Sequence, residues 1–174
     1  MDELRGIKRD TSSRVQAQHL MDQITEILHQ KDNQRIDRAA LDHFFSDMPE
    51  RYLRSVSLDA AVNHFLLSTQ ITNDRRIVSR VDTFEDSNYI EVTFLARDAP
   101  SLFSNLCGAL AAKQFNILSA QIYTSASGEA VDIFQVEVPP VFMDDIDGIL
   151  TRICATMEKI MRTGERPHWS RSID

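Results

Sequence analysis

Apolar and polar residues alternate along three stretches of the chain, which span residues 90–97, 116–123 and 130–138. A period of two is typical of β-strands with one buried face, so we predict three strands. Apolar residues recur at helical spacing at about 102–110 and 143–162. The order strand, helix, strand, strand, helix predicts an α+β fold, a ferredoxin-like βαββα sandwich with both helices on one face of the sheet.

A fourth strand belongs beside the first strand of this fold, and no strand pattern follows the last helix. Residues 77–84 alternate only weakly, and we predict an edge strand there. The fourth strand is therefore absent or supplied elsewhere: by residues 77–84, by another chain, or by a longer protein that continues past Asp174. An open sheet edge exposes unpaired backbone groups, which proteins normally cover.

The first seventy or so residues show helical spacing only. The first predicted helix covers residues 14–30. Asp37 is expected to cap a second helix, which ends near Met48 because a residue that precedes proline disfavours helical geometry. Ser57 is expected to cap a third helix with the inner residues Leu58, Ala61, Val62, Phe65, Leu66 and Ile71.

These patterns divide the chain into a helical linker segment at 1–74, an α+β domain at 75–164 and a polar tail at 165–174. The net charge of −7 argues against nucleic acid as a partner. The sequence contains no run of about 18 apolar residues, so we predict no membrane span. The N-terminus lacks the apolar core of a secretory signal. Cys107 and Cys154 lie in helical apolar patterns, which favours unbridged core residues in a reducing cytoplasm.

Motifs for catalysis are missing from the sequence: it contains no nucleophile elbow, P-loop or GxGxxG. The histidines are scattered without partners at metal-ligand spacing, and we expect solvated or packed helix residues at His19, His29, His43, His64 and His168. Three aspartates near residue 145 fall at a helix start, where they complement the helix dipole. We predict no catalytic residue, metal site or cofactor.

One loop has a physical rationale for ligand binding. Residues 98–103 join the first strand to a helix, and Pro100 is expected at the first helical position. Free backbone N–H groups and the positive end of the helix dipole suit a small carboxylate there; the alternative is an ordinary strand–helix turn. The start of the second strand is expected nearby. The predicted ligand-binding residues are Asp98, Ala99, Pro100, Ser101, Leu102, Phe103, Asn116 and Ile117.

The region from residue 96 to residue 138 resembles an ACT domain, a βαββαβ module that binds amino acids and regulates enzymes. The family loop usually reads Asp-Arg-Pro-Gly-Leu-Phe, and residues 98–103 read Asp-Ala-Pro-Ser-Leu-Phe. Ala99 and Ser101 thus stand at the arginine and glycine positions. The runs GALA at 108–111 and NILSAQIYT at 116–124 are also similar to the family pattern.

Residues 43–53, HFFSDMPERYL, resemble the segment before the first ACT domain of bifunctional PII uridylyltransferase/uridylyl-removing enzymes. The resemblance runs from about residue 37 to residue 163. In that family a nucleotidyltransferase domain uridylylates PII, an HD domain removes the nucleotide, and two ACT domains sense glutamine. Neither catalytic motif is present here. The resemblance therefore implies a cytoplasmic regulatory fragment of such an enzyme, with no catalytic site or cofactor of its own.

The partners that the resemblance implies are glutamine or another amino acid, the other domains of the parent enzyme, and PII. A homodimer through the sheet edges or the helices is also expected. The fragment would relay the glutamine level to distant active sites through domain packing. Two alternatives stay open: a free-standing ACT-like amino-acid sensor, and a structural module whose helical part docks a partner.

Overall fold

The computed structural model describes residue 15 and residues 18–27, 37–85 and 87–165, which form two compact units. Of the described residues, the helical unit comprises those up to Thr69 together with Tyr123–Ser127. The α/β unit comprises those in Gln70–Ile122 and from Gly128 to Glu165. The ends of the predicted helix 14–30, His29, His168 and the tail beyond Glu165 lie outside the described residues.

Residues 18–27 are helical in the helical unit, as predicted, and three helices follow: α1 Arg38–Ser46, α2 Glu50–Ser55 and α3 Leu58–Ser68. The Asp37 carboxylate accepts hydrogen bonds from the backbone N–H groups of Ala39 and Ala40, at 3.0 and 3.3 Å. The Ser57 hydroxyl accepts one from the N–H of Ala60 at 3.3 Å. Both predicted caps are confirmed, because each satisfies N–H groups that lack a partner within the helix.

Aromatic rings dominate the core of the helical unit. Phe44, Phe45, Tyr52 and Phe65 are buried, and Phe44 and Phe45 have ring centroids 4.9 Å from each other and 6.1–6.5 Å from those of Tyr52 and Phe65. The prediction for α3 was wrong at Leu66, which is 43% exposed, while Leu67 is buried. Residues three apart share a helix face, so Leu67 follows the buried His64. Ile71 was also assigned wrongly, since it lies beyond the end of α3.

The rest of the described chain forms four strands, helices α4 and α5 and one 3₁₀ helix, in the order β1 Ile77–Thr83, β2 Ile90–Arg97, α4 Leu102–Ala112, β3 Asn116–Thr124, β4 Glu129–Glu137, 3₁₀ Pro140–Asp145 and α5 Ile146–Thr163. All of these belong to the α/β unit except the last two residues of β3, Tyr123 and Thr124. The sheet order is β1-β2-β4-β3, and both neighbours of β2 run antiparallel to it. The predicted α+β class is confirmed. β1 lies beside β2, where the fourth strand was expected, so the weak strand supplies it.

One face of this sheet packs on α4 and α5. The inward side chains of β2 and β4 form a cluster with apolar residues of both helices, including Leu106, Leu110, Leu150 and Ile153. The predicted half-buried pattern of β2 was wrong on its second face, because Thr93 and Leu95 are buried as well. Their partners in β4, Ile133 and Val131, are also buried, so the central strands are enclosed on both faces.

Candidate functional site

Helix α4 begins with a tight turn. The N–H of Leu102 donates to the carbonyl of Ala99 at 3.1 Å, and Ser101 adopts φ 62° and ψ 15°, in the left-handed region. Proline followed by a residue at positive φ is typical of a type II turn. Pro100 was predicted wrongly at the first helical position: it precedes the N-cap Ser101, because the left-handed residue delays the helix until Leu102.

A cleft of about 560 Å³ lies beside this turn, between the start of α4 and the end of α5. The loop and the first turn of α4 contribute Ala99, Pro100, Ser101, Leu102, Ser104 and Asn105. Helix α5 contributes the apolar side chains of Met157, Ile160 and Met161. The Ser101 side chain makes no capping hydrogen bond, so first-turn N–H groups of α4 remain without a side-chain cap.

Two of the predicted loop residues, Asp98 and Phe103, are not part of the cleft lining. Phe103 stacks on Phe134 of β4, with ring centroids 5.6 Å apart and planes 8° apart, and belongs to the core. The Asp98 backbone N–H donates to the carbonyl of Gly128 at 2.8 Å, which ties the loop to the chain before β4. The structure therefore brings together four of the predicted residues, Ala99–Leu102, at the cleft.

Asn116 and Ile117 lie at the opposite end of the sheet from the loop. The Asn116 side chain donates to Glu137 Oε2 at 2.7 Å, at the end of β4, whereas Asp98 meets Gly128 before β4 begins. β4 has nine residues, so these ends are about 26 Å apart at about 3.3 Å per residue. The predicted proximity was wrong because α4 carries the chain back along the sheet before β3 starts.

Asp132 of β4 is a polar residue that the sequence reasoning missed. It is 2% exposed, and its Oδ1 has no hydrogen-bond partner among the described residues. Burial first, and the charge of Asp98 second, raise the pKa of the Asp132 carboxyl from 3.8 to about 7. The available signal was an acid at an inward position, between Ala130 and Phe134 in a strand with period two.

A buried polar pair lies in the helical unit. The Tyr52 hydroxyl and His64 Nδ1 are 3.0 Å apart, and both residues are buried. Burial raises the pKa of the Tyr52 hydroxyl, which is therefore neutral. The prediction that His64 is a packed helix residue is confirmed, and the pair joins α2 to α3.

The described part of the chain offers neither a metal site nor a thiol with a lowered pKa. It contains no group of three or more histidine, cysteine or acidic side chains arranged to hold a metal ion. Cys107 and Cys154 are free and pack against the core, as their helical spacing predicted, and burial raises the pKa of both thiols. No helix among these residues has the length and hydropathy needed to cross a membrane.

No family model matches the sequence. Comparison with known proteins does find relatives. The bifunctional uridylyltransferase/uridylyl-removing enzyme of Bordetella pertussis is 33% identical over 93 residues, 53% of this chain and 11% of that protein. The enzyme of that name from Nitrobacter winogradskyi is 30% identical over 112 residues, 63% of this chain and 12% of that protein. The chain is similar to bifunctional uridylyltransferase/uridylyl-removing enzymes.

A third relative of this name, from Phenylobacterium zucineum, is 30% identical over 90 residues, which are 52% of this chain and 9% of that protein. The matches confirm the resemblance to these enzymes that the sequence predicted. The chain spans about a tenth of the length of the curated relatives it matches.

Proposed function

We propose that this chain is a regulatory, ACT-like segment of a PII uridylyltransferase/uridylyl-removing enzyme. The observation that carries the proposal is the 30–33% identity to bacterial enzymes of that name over about half the chain. The α/β unit supports it, because its four-stranded antiparallel sheet with two packed helices is compatible with the ferredoxin-like ACT fold.

The proposed ligand is an amino acid, with glutamine as the first candidate. A cleft of about 560 Å³ is of the size that holds small molecules. Its wall at the start of α4 offers N–H groups without a side-chain cap and the positive end of the helix dipole, which suit an α-carboxylate. Met157, Ile160 and Met161 supply an apolar wall for the rest of the ligand.

The proposed role assigns transfer and removal of the uridylyl group to other domains of the enzyme, with PII as their substrate in the cytoplasm. Binding in the cleft would shift the packing of the segment against those domains, by itself or as a homodimer. A ligand shifts such an equilibrium only by its difference in affinity for the two arrangements. Regulation therefore requires that the cleft differ in shape between them.

Calorimetric titration of the 174-residue chain with a panel of amino acids tests whether the chain binds an amino acid and which one it binds. Ser104→Glu places a carboxylate in the first turn of α4, at the cleft, where it competes for the same dipole. We expect glutamine binding to weaken at least tenfold in that variant. Ala155→Glu, an exposed change in the middle of α5 and outside the cleft, is the matched control with unchanged affinity.

Two results would overturn the ligand proposal: no heat from any amino acid at millimolar concentration, or equal glutamine affinity in the wild-type chain and in Ser104→Glu. The enzyme assignment is tested separately by the complete reading frame that encodes this chain. We expect that frame to encode a nucleotidyltransferase domain as well. A frame that encodes no such domain would contradict the assignment and leave the result of the titration intact.

A further inference from the structure

Asp132 is a buried carboxyl group that neither the proposed function nor the core packing uses. Its partner across the strands is Phe94 of β2, and it shares a face of β4 with Ala130 and Phe134. Phe94, Ala130 and Phe134 all belong to the core cluster beneath the helices. Asp132 therefore points into an apolar environment, where a charged group is costly unless it is paired.

Among the described residues, no cation compensates the charge of an ionised Asp132, because burial and the like charge of Asp98 are what act on this carboxyl group. β2 places Phe94 opposite it, and residues 116–122 of β3 contain no titratable side chain. The titratable neighbours are Asp98 in the loop before α4 and Cys107 in α4, and each interacts with Asp132 with like sign. Its Oδ1 accepts no hydrogen bond from any described residue. The site thus favours the neutral acid over the carboxylate.

We propose that Asp132 is a proton-operated switch for the packing of α4 on the sheet. The protonated side chain is neutral and fits the core, whereas the carboxylate leaves a charge with an unpartnered oxygen among apolar groups. The stack of Phe103 on Phe134 ties the first turn of α4 to β4 two residues from Asp132. Ionisation of Asp132 therefore loosens the start of α4 first.

The direction of the effect follows from proton linkage. Burial raises the pKa of Asp132 from 3.8 to about 7, so the folded chain binds a proton that the unfolded chain has released across this window. The contribution of Asp132 to the folding constant falls about tenfold per pH unit as the pH rises from about 4 to 7. Above the folded-state pKa both states are ionised, and the effect becomes constant.

Urea unfolding of the full chain between pH 5 and 8 tests the switch, with Asp132→Asn as the isosteric neutral variant. We expect the ratio of the wild-type folding constant to that of Asp132→Asn to fall about tenfold per pH unit up to pH 6.5 and to level off above 7. Asp42→Asn, an exposed change in α1, is expected to follow the wild type. Equal pH dependence of the wild type and Asp132→Asn would overturn the proposal.

A second readout uses the wild-type chain alone, so it does not depend on the folding of any variant. The carboxyl ¹³C shift of Asp132 is expected to titrate with a midpoint near 7. Amide exchange, corrected for its intrinsic pH dependence, should show protection in the first half of α4 falling at least tenfold between pH 5.5 and 8. A midpoint below 5, or unchanged protection in the first half of α4, would contradict the switch.

Discussion

The left-handed conformation of Ser101 predicts that Ser101→Gly stabilises the α/β unit. Ser101 has φ 62° and caps α4 with its backbone only, since its side chain makes no capping hydrogen bond. The backbone carbonyl of Ser101 accepts hydrogen bonds from Ser104 Oγ and from the Asn105 N–H, and a glycine at this position has the same carbonyl. The substitution therefore removes strain at Cβ and no observed hydrogen bond.

The net gain is the difference between two terms. A left-handed conformation costs a residue with a side chain about 1–2 kcal/mol. Glycine loses about 0.5–1 kcal/mol more chain entropy on folding than a residue with a side chain. We therefore expect Ser101→Gly to raise the free energy of unfolding by about 0.5–1 kcal/mol, with Gln114→Gly giving a similar gain because Gln114 has φ 61°.

Urea unfolding followed by circular dichroism at 222 nm measures this change. Ala111→Gly is the matched control, because it introduces glycine at an exposed helical position of the same helix. It is expected to lower the free energy of unfolding by about 1 kcal/mol. The reasoning is refuted if Ser101→Gly destabilises the chain as Ala111→Gly does, since the strain at Ser101 would then be smaller than the entropy cost.

Two further predictions concern the helical unit. Asp37→Ala removes the acceptor for two N–H groups of α1 and should cost about 1 kcal/mol in urea unfolding, whereas Asp42→Ala, exposed within α1, should change stability by less than about 0.5 kcal/mol. Tyr52→Phe removes the buried hydrogen bond between the Tyr52 hydroxyl and His64 Nδ1 and should cost about 1–3 kcal/mol; a loss no larger than that of Asp42→Ala would show that the bond contributes nothing.

Features that depend on neighbouring residues were predictable from the sequence. The caps at Asp37 and Ser57 follow from side chains that reach N–H groups two or three positions ahead. The strands followed from the period of two, and even the weak pattern at 77–84 marked a real strand. Its pairing with β2 was left open, because the pattern of one strand does not specify its neighbour in a sheet.

Features that depend on tertiary structure were missed or misplaced. The sequence marks Ser101 as a departure from the family glycine, but only the backbone shows that this position requires positive φ. Asp132 was treated as one member of an alternating strand, because the free-energy cost of burying its carboxyl group depends on which groups face it across the core. Leu66 and Leu67 are equally apolar, and only the packing of α3 decides which of them is buried.

The misplacement of Asn116 could have been avoided with arguments already available from the sequence. A helix of eleven residues is about 16 Å long, so α4 returns the chain along the sheet before β3 begins. The end of β2 and the start of β3 must then lie at opposite ends. A single bound amino acid is far too short to contact both Ala99–Leu102 and Asn116 in the same α/β unit. The candidate site in a single chain therefore reduces to the cleft beside the turn at Ser101.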